Sequence, residues 1–261
     1  MTVTSFVIIS SKYRTSDSRT TSDFTYSIGQ SLETSAIAIK SVSIPNLQYN
    51  INWTNNRLRV RTNSEAPPFY DVTIPVGQYD ISTFISTLQD LLRTVLSDST
   101  LTITQDSLTG KISFTNITVP IRFDIDPTVS PLAKLIGLGS GEGLTFPTAP
   151  DTSFTCLDLP SLGGLKNFYL SSRILSQGFN GIFKSGDQIP VVMNIPIDVP
   201  YGAVQHYDAS DIRLNMKKFS RKNNIQWIDI KIIDEDLNVV DLNGGDIEIV
   251  LKIYTTEDDS I

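Results

Sequence analysis

Residues 34–46 read Thr-Ser-Ala-Ile-Ala-Ile-Lys-Ser-Val-Ser-Ile-Pro-Asn. Ile37 and Ile39 fall on one parity, Val42 and Ile44 on the other. Side chains alternate between the two faces of a strand, so a strand that keeps one face inward through a parity switch must carry an extra residue. A β-bulge is therefore expected near Lys40–Ser41, and Pro45 and Asn46 end the strand. The same alternation recurs on either side. Upstream, Phe24, Tyr26 and Ile28 share a face, and the run Ser5–Ser10 (Phe6, Val7, Ile8, Ile9) is continuously apolar, as in a strand covered on both faces. The polar residues between them read as a loop or a mobile arm. Downstream, Leu58 and Val60 oppose Arg57, Arg59 and Arg61, and Pro67–Pro68 precedes a short strand over Tyr70–Ile74.

One segment breaks the pattern. From Asp80 to Leu96 the apolar residues Ile81, Phe84, Ile85, Leu88, Leu91, Leu92, Val95 and Leu96 have the spacing of an amphipathic helix packed on a sheet, with Asp80 as N-cap. A hairpin follows, Leu101 and Ile103 facing Ile112 and Phe114 across a turn at Asp106–Gly110. Pro131–Ile136 predicts a helical turn, and the glycine-rich stretch Gly137–Pro150 a flexible connection. Strands return over Asn167–Leu175, Gln188–Ile195, Asp211–Phe219, Ile225–Ile233 and Asp246–Tyr254, the last after an Asn243-Gly244-Gly245 turn. A mainly β chain with about eight to twelve strands makes an antiparallel sandwich or jelly roll. The expected organisation is an N-terminal arm (1–22) and a single domain (23–261) with a helix-containing insertion around 75–138.

Composition narrows the function classes. The net charge of −7 is the wrong sign for a broad nucleic-acid surface, which needs Lys and Arg to displace counterions, so nucleic-acid contact is not expected. The dense basic stretch Arg213, Lys217, Lys218, Arg221 and Lys222 reads as a solvated strand edge, or as a contact with an acidic neighbour or packaged nucleic acid. Cys156 is the one cysteine, so no intramolecular disulfide forms. The start shows no secretory leader, no stretch approaches the roughly 20 apolar residues of a membrane span, and synthesis in the cytoplasm is expected. The sequons at Asn52 and Asn116 then read as chance matches.

No residue set stands out for chemistry. The single histidine, His206, is expected in a turn; a triad with Ser210 and Asp208, or a pairing with Cys156, would need geometry that proximity in sequence does not supply. Cys156 reads as a small buried hydrophobe. The run Asp234-Glu235-Asp236-Leu237-Asn238 resembles the opening of a calcium loop but has Val239 where that loop needs glycine, so it reads as a hairpin turn. Gly137, Gly139, Gly141 and Gly143 lack the spacing of a phosphate loop. No catalytic, cofactor-binding or metal-ligating residue is assigned, and no enzyme is expected.

The order of motifs carries a resemblance. Ala36–Asn46, then Tyr49-Asn50-Ile51, then Ile74-Pro75-Val76-Gly77-Gln78-Tyr79 leading into the helix, Thr109-Gly110-Lys111-Ile112 and Leu135-Ile136-Gly137-Leu138 together resemble the penton, or minor capsid, proteins of virophages, adintoviruses and polinton-like viruses. The likeness is best over residues 34–138. It implies a single jelly roll and a homo-pentamer at the fivefold vertices of a double-stranded DNA virus capsid. It also implies double jelly-roll major capsid protein neighbours, a possible vertex spike, and a place in the virion. Under it the Arg57, Arg59 and Arg61 face, set against the Asp234–Asp236 tip, is a candidate intersubunit contact. Two other classes stay open: a receptor- or glycan-binding sandwich of adhesin type, for which Trp53 beside Tyr49 is an exposed-aromatic candidate while Trp227 reads as core, and a hydrolase on a β scaffold.

Overall fold

The computed structural model describes residues 2–61, 69–117, 121–139, 153–176, 181–184, 187–209 and 216–256. The Pro67–Pro68 pair, Gly141, Gly143, Ser210 and Arg213 lie outside them. Strands in chain order are β1 (Thr2–Ser10), β2 (Asp23–Pro45), β3 (Arg57–Arg61), β4 (Tyr70–Thr73), β5 (Thr102–Gln105), β6 (Ile112–Thr115), β7 (Arg122–Asp124), β8 (Ser153–Thr155), β9 (Asn167–Ser171), β10 (Gly181–Lys184), β11 (Asp187–Pro196), β12 (Val204–Asp208), β13 (Met216–Ile233) and β14 (Glu248–Thr256). Helices are α1 (Ile81–Leu96) and α2 (Leu132–Leu135). The chain forms two compact units, one of residues 1–48 and 165–261, the other of residues 49–164. The second runs wider on both sides than the 75–138 stretch expected from sequence.

The first unit is a jelly roll. Its strands follow the order β1-β14-β2-β13-β9-β11-β10, with β12 beside β2, and every pairing is antiparallel. β2 makes this wiring possible by changing partner along its 23 residues. Asp23–Ala38 pairs with β13, Ala36–Ser43 with β14, and Ser41–Pro45 with β12. The result is two sets that share β2, the four-stranded β1-β14-β2-β12 and the five-stranded β2-β13-β9-β11-β10. The predicted bulge is present: Val250 faces Ser41 while Leu251 faces Ile39, which leaves Lys40 as the extra residue. Ile37, Ile39, Val42 and Ile44 therefore all point into one core, with Ile249, Leu251 and Ile253 of β14 and Ile228, Ile230 and Ile232 of β13.

Four expectations change here. Residues 2–10 are no arm, since β1 pairs along its length with β14. The following polar residues are also tied down: the Ser11 hydroxyl donates to Asp246 at 2.8 Å and the Ser22 hydroxyl to the carbonyl of Val240. Of the strands expected at 211–219 and 225–233, residues 211–215 lie outside the described residues, and the rest form one strand, β13, because register irregularities opposite β2 absorb the polar residues between them. His206 sits in strand β12, not in a turn, opposite Ser43.

The second unit has its own core. Strands β4-β3-β7 form one sheet and β5-β6-β8 another. Helix α1 buries Phe84, Leu88, Leu92 and Leu96 with Leu58 and Val60 of β3, Ile112 and Phe114 of β6, and Phe123 of β7. The Phe114 ring lies 5.5 Å from Phe123 and 6.3 Å from Phe154, centroid to centroid. Asp80 caps α1 by accepting from the Thr83 N–H at 2.7 Å. Hydrogen bonds from the Thr83 hydroxyl, the Thr83 N–H and the Ser82 hydroxyl hold its carboxyl down from the usual 3.8 to about 2. Asp106 and Asp126 are lowered likewise, each by the hydroxyl and N–H of a following threonine. A carboxylate depressed in the folded state contributes stability that is complete above its unfolded value and lost as pH falls toward its folded one. The Asp80 contribution is thus expected to disappear between about pH 3.8 and 2, and D80N to flatten that part of an acid-unfolding curve followed by circular dichroism.

Two of the motifs that carried the resemblance, Tyr49–Ile51 and Ile74–Tyr79, meet inside this unit. Buried Asn50 donates to the carbonyls of Tyr79 and Leu162, both at 2.8 Å, and its side-chain oxygen accepts from the Tyr79 N–H at 2.9 Å. Ile51 and Gly77 exchange backbone hydrogen bonds beside it. One amide side chain thereby holds the entrance of the unit against its exit.

Candidate functional site: exposed faces and edges

Among the described residues, the catalytic candidates weighed from sequence are found in other contacts, and Ser210 lies outside those residues. His206 Nδ1 lies 3.0 Å from the Ser43 hydroxyl, and Asp208 takes the Lys40 ammonium at 2.6 Å. Cys156 is buried in the core of the second unit, and burial pushes its thiol up to about 12, far from a reactive thiolate. The Asp234–Val239 segment is a turn: Asp234 accepts from the Asn238 N–H at 2.8 Å, and Leu237 takes a φ of 65°. Glu235 accepts from the backbone N–H groups of Lys166 and Asn167 at 3.0 and 3.1 Å. Among the described residues no group of three or more His, Cys, Asp or Glu side chains converges as a metal site would. Gly137 is not a flexible link. Its φ is 83°, and a Cβ there would stand 2.2 Å from the carbonyl oxygen of Asp158. Glycine is needed for two backbones to meet. Among the described residues no helix is long and apolar enough to cross a membrane.

What the molecule does present is surface. In the jelly roll, β1 is the end strand of the sheet and, among the described residues, is paired on one side only. Its Phe6 and Ile8 are 61% and 57% exposed, although the sequence reads as covered on both faces. They stand opposite Lys252 and Val250, and on the same face the row runs across to Ser41 and Ser43 of β2 and His206 and Asp208 of β12. The face is thus apolar at the β1 edge and polar at the β12 edge. Trp227 of β13, expected in the core, is also more than half exposed. It lies at the register irregularity opposite Ser27, where the strand turns that position outward.

The second unit has two surface features. Trp53 is 78% exposed at the tip of a turn in which Asn52 Oδ1 accepts from the N–H and hydroxyl of Thr54, and Asn55 closes the loop on the Asn52 N–H. The outer face of β4-β3-β7 carries Arg57, Arg59 and Arg61. Arg59 pairs with Asp71 at 3.0 Å. Lys217 and Lys218 of the basic stretch lie in β13 of the first unit, opposite Ile37 and Ala36.

No family model matches the sequence, and no curated protein matches it. The fold is similar to that in the crystal structure of the selenomethionine-labelled mavirus penton protein, with a TM-score of 0.53 and 10% identity. The alignment covers 98% of this chain and 100% of that one. At that identity the likeness is one of fold: a penton-like architecture running from end to end of both chains.

Proposed function

We propose that the chain is a structural capsid protein, a jelly-roll wedge that closes with four copies of itself into a pentamer at the vertex of an icosahedral virion. The observation that carries this reading is the end-to-end likeness to the mavirus penton protein, which includes the 49–164 unit as well as the jelly roll. The surface chemistry supports it. A ring of identical wedges needs a heterologous contact, one flank complementing another. The β1 edge, with open backbone hydrogen-bonding groups and exposed Phe6 and Ile8, is the flank with most to gain from being covered. The remaining neighbours are double jelly-roll major capsid subunits, and the chemistry is binding without catalysis. Native mass spectrometry and negative-stain microscopy of the purified chain, alone and with the major capsid protein, test the proposal. Fivefold rings are the expected result; a chain that stays monomeric with its capsid partner at every salt and pH overturns it.

A second reading, receptor or glycan recognition by the 49–164 unit, is favoured by Trp53. Side chain–backbone bonds on either side hold the turn rigid while the indole stands out, the arrangement in which an aromatic face stacks on a ligand at little entropic cost. W53A is expected to lower binding on a glycan array at least tenfold while leaving the oligomer unchanged. A chain whose array profile is blank before the change removes this reading.

A further inference from the structure

On the outer face of β4-β3-β7 the charges fall in a fixed register. Arg59 stands opposite Asp71 on one side and Asp124 on the other, so it is compensated within the sheet. Arg61 stands directly opposite Arg122. Like charges facing each other across paired strands are destabilising, and among the described residues neither guanidinium has a carboxylate partner. Arg61 Nε is buried with no hydrogen-bond acceptor. The Phe69 ring lies 4.9 Å from the Arg61 guanidinium, which braces it by a cation–π contact and fixes the plane of its donors. Arg57, exposed and opposite Thr73, adds a third cation that has no ion pair among the described residues.

Two guanidiniums held side by side are a fork for oxyanions. The neighbours select which kind. Asp71 and Asp124 sit within the same face, and a uniformly anionic polymer laid across it meets their repulsion, whereas a short carboxylate-bearing peptide engages the Arg61–Arg122 end alone. The Asp234–Asp236 tip is a poor occupant, because Asp234 and Glu235 already serve its own turn and the adjoining backbone. The sequence offers a better one. β14 ends at Thr256 and is followed directly by Glu257-Asp258-Asp259-Ser260-Ile261, three consecutive acids in five residues.

We infer that the Arg61–Arg122 pair is the docking point for the acidic segment 257–259 of a second copy of this chain. The inference rests on the reading that the copies assemble. It gives the 49–164 unit a part in holding the ring: each copy offers an arginine fork to a neighbour and an acidic segment to another.

The test uses the chain shortened to Thr256 and a fluorescent heptapeptide, Thr-Thr-Glu-Asp-Asp-Ser-Ile, read by anisotropy. The expected result is saturable binding that weakens with salt, falls at least tenfold in R61Q/R122Q, and is absent for the Thr-Thr-Gln-Asn-Asn-Ser-Ile control. Equal binding of the acidic and neutral peptides overturns the inference, as does binding that R61Q/R122Q leaves intact. Glu65, four positions beyond Arg61, lies outside the described residues; E65Q is expected to leave affinity unchanged. An E65Q chain that binds where the parent does not would make Glu65 the native partner and overturn the proposal. Heparin that binds the full chain more tightly than the peptide binds, and loses that binding in R61Q/R122Q, assigns the fork to a polyanion and also overturns it. In the full chain, R61E/R122E is expected to weaken the oligomer and R61E/R122E/E257K/D258K/D259K to restore it. If fivefold rings form with undiminished stability in R61E/R122E, the docking is wrong and the vertex assignment stands.

Discussion

Phe114→Ala is expected to destabilise the 49–164 unit by about 3–5 kcal/mol, the range for emptying an aromatic site in a close-packed core. Phe114 is fully buried on β6, and its ring is the contact between Phe123 on one sheet and Phe154 on the other. Removing it takes away apolar burial together with the ring contacts to Phe123 and Phe154. The buried residues of this unit form a cluster separate from that of the jelly roll. Hydrogen exchange is therefore expected to accelerate across α1, β3, β6 and β7 in the variant while β2, β13 and β14 keep their protection. Equal loss of protection in both units would show that the two cores fold as one cooperative block.

The second large effect concerns assembly. F6D/I8D is expected to leave the monomer folded, because both side chains already face solvent, and to raise the dissociation constant of the proposed pentamer by roughly 100-fold or more. Burying a large apolar side chain is worth about 1.5–3 kcal/mol, and each 1.4 kcal/mol is tenfold in affinity. Two carboxylates at a desolvated edge add their own cost. Mass photometry against concentration measures it. Unchanged association would move the flank contact away from β1.

These two sites also mark how far the sequence could be read. The core was legible because it obeys local rules. The parity switch around Lys40 gave the bulge, the 3.6-residue spacing after Asp80 gave α1 and its cap, and Asp106–Gly110 gave the hairpin turn. The fold similarity to a penton protein agrees with the resemblance carried by the Ile-Pro-Asn and Pro-Val-Gly-Gln-Tyr motifs, and the Asn50 latch supplies a physical reason for part of it. The surface was less legible. Apolar residues show that a strand exists, not what covers its outer side, so Phe6, Ile8 and Trp227, which the pattern places under cover, stand exposed. β12 escaped because its inward residue is polar: Gln205 is buried, with its side-chain oxygen accepting from the Asp198 N–H. The like-charged Arg61–Arg122 pairing was beyond reach, because strand register between residues so far apart in sequence is set by the fold.

The Asn50 latch has a consequence for engineering. Because one side chain ties the entrance of the 49–164 unit to its exit, the insertion begins and ends at neighbouring points and encloses its own core. Such a module behaves as a cassette: another folded segment with closely spaced termini can replace it without stretching the strands on either side. Replacing residues 49–164 with such a segment is expected to leave the jelly-roll core intact, as hydrogen exchange across β2, β13 and β14 would report.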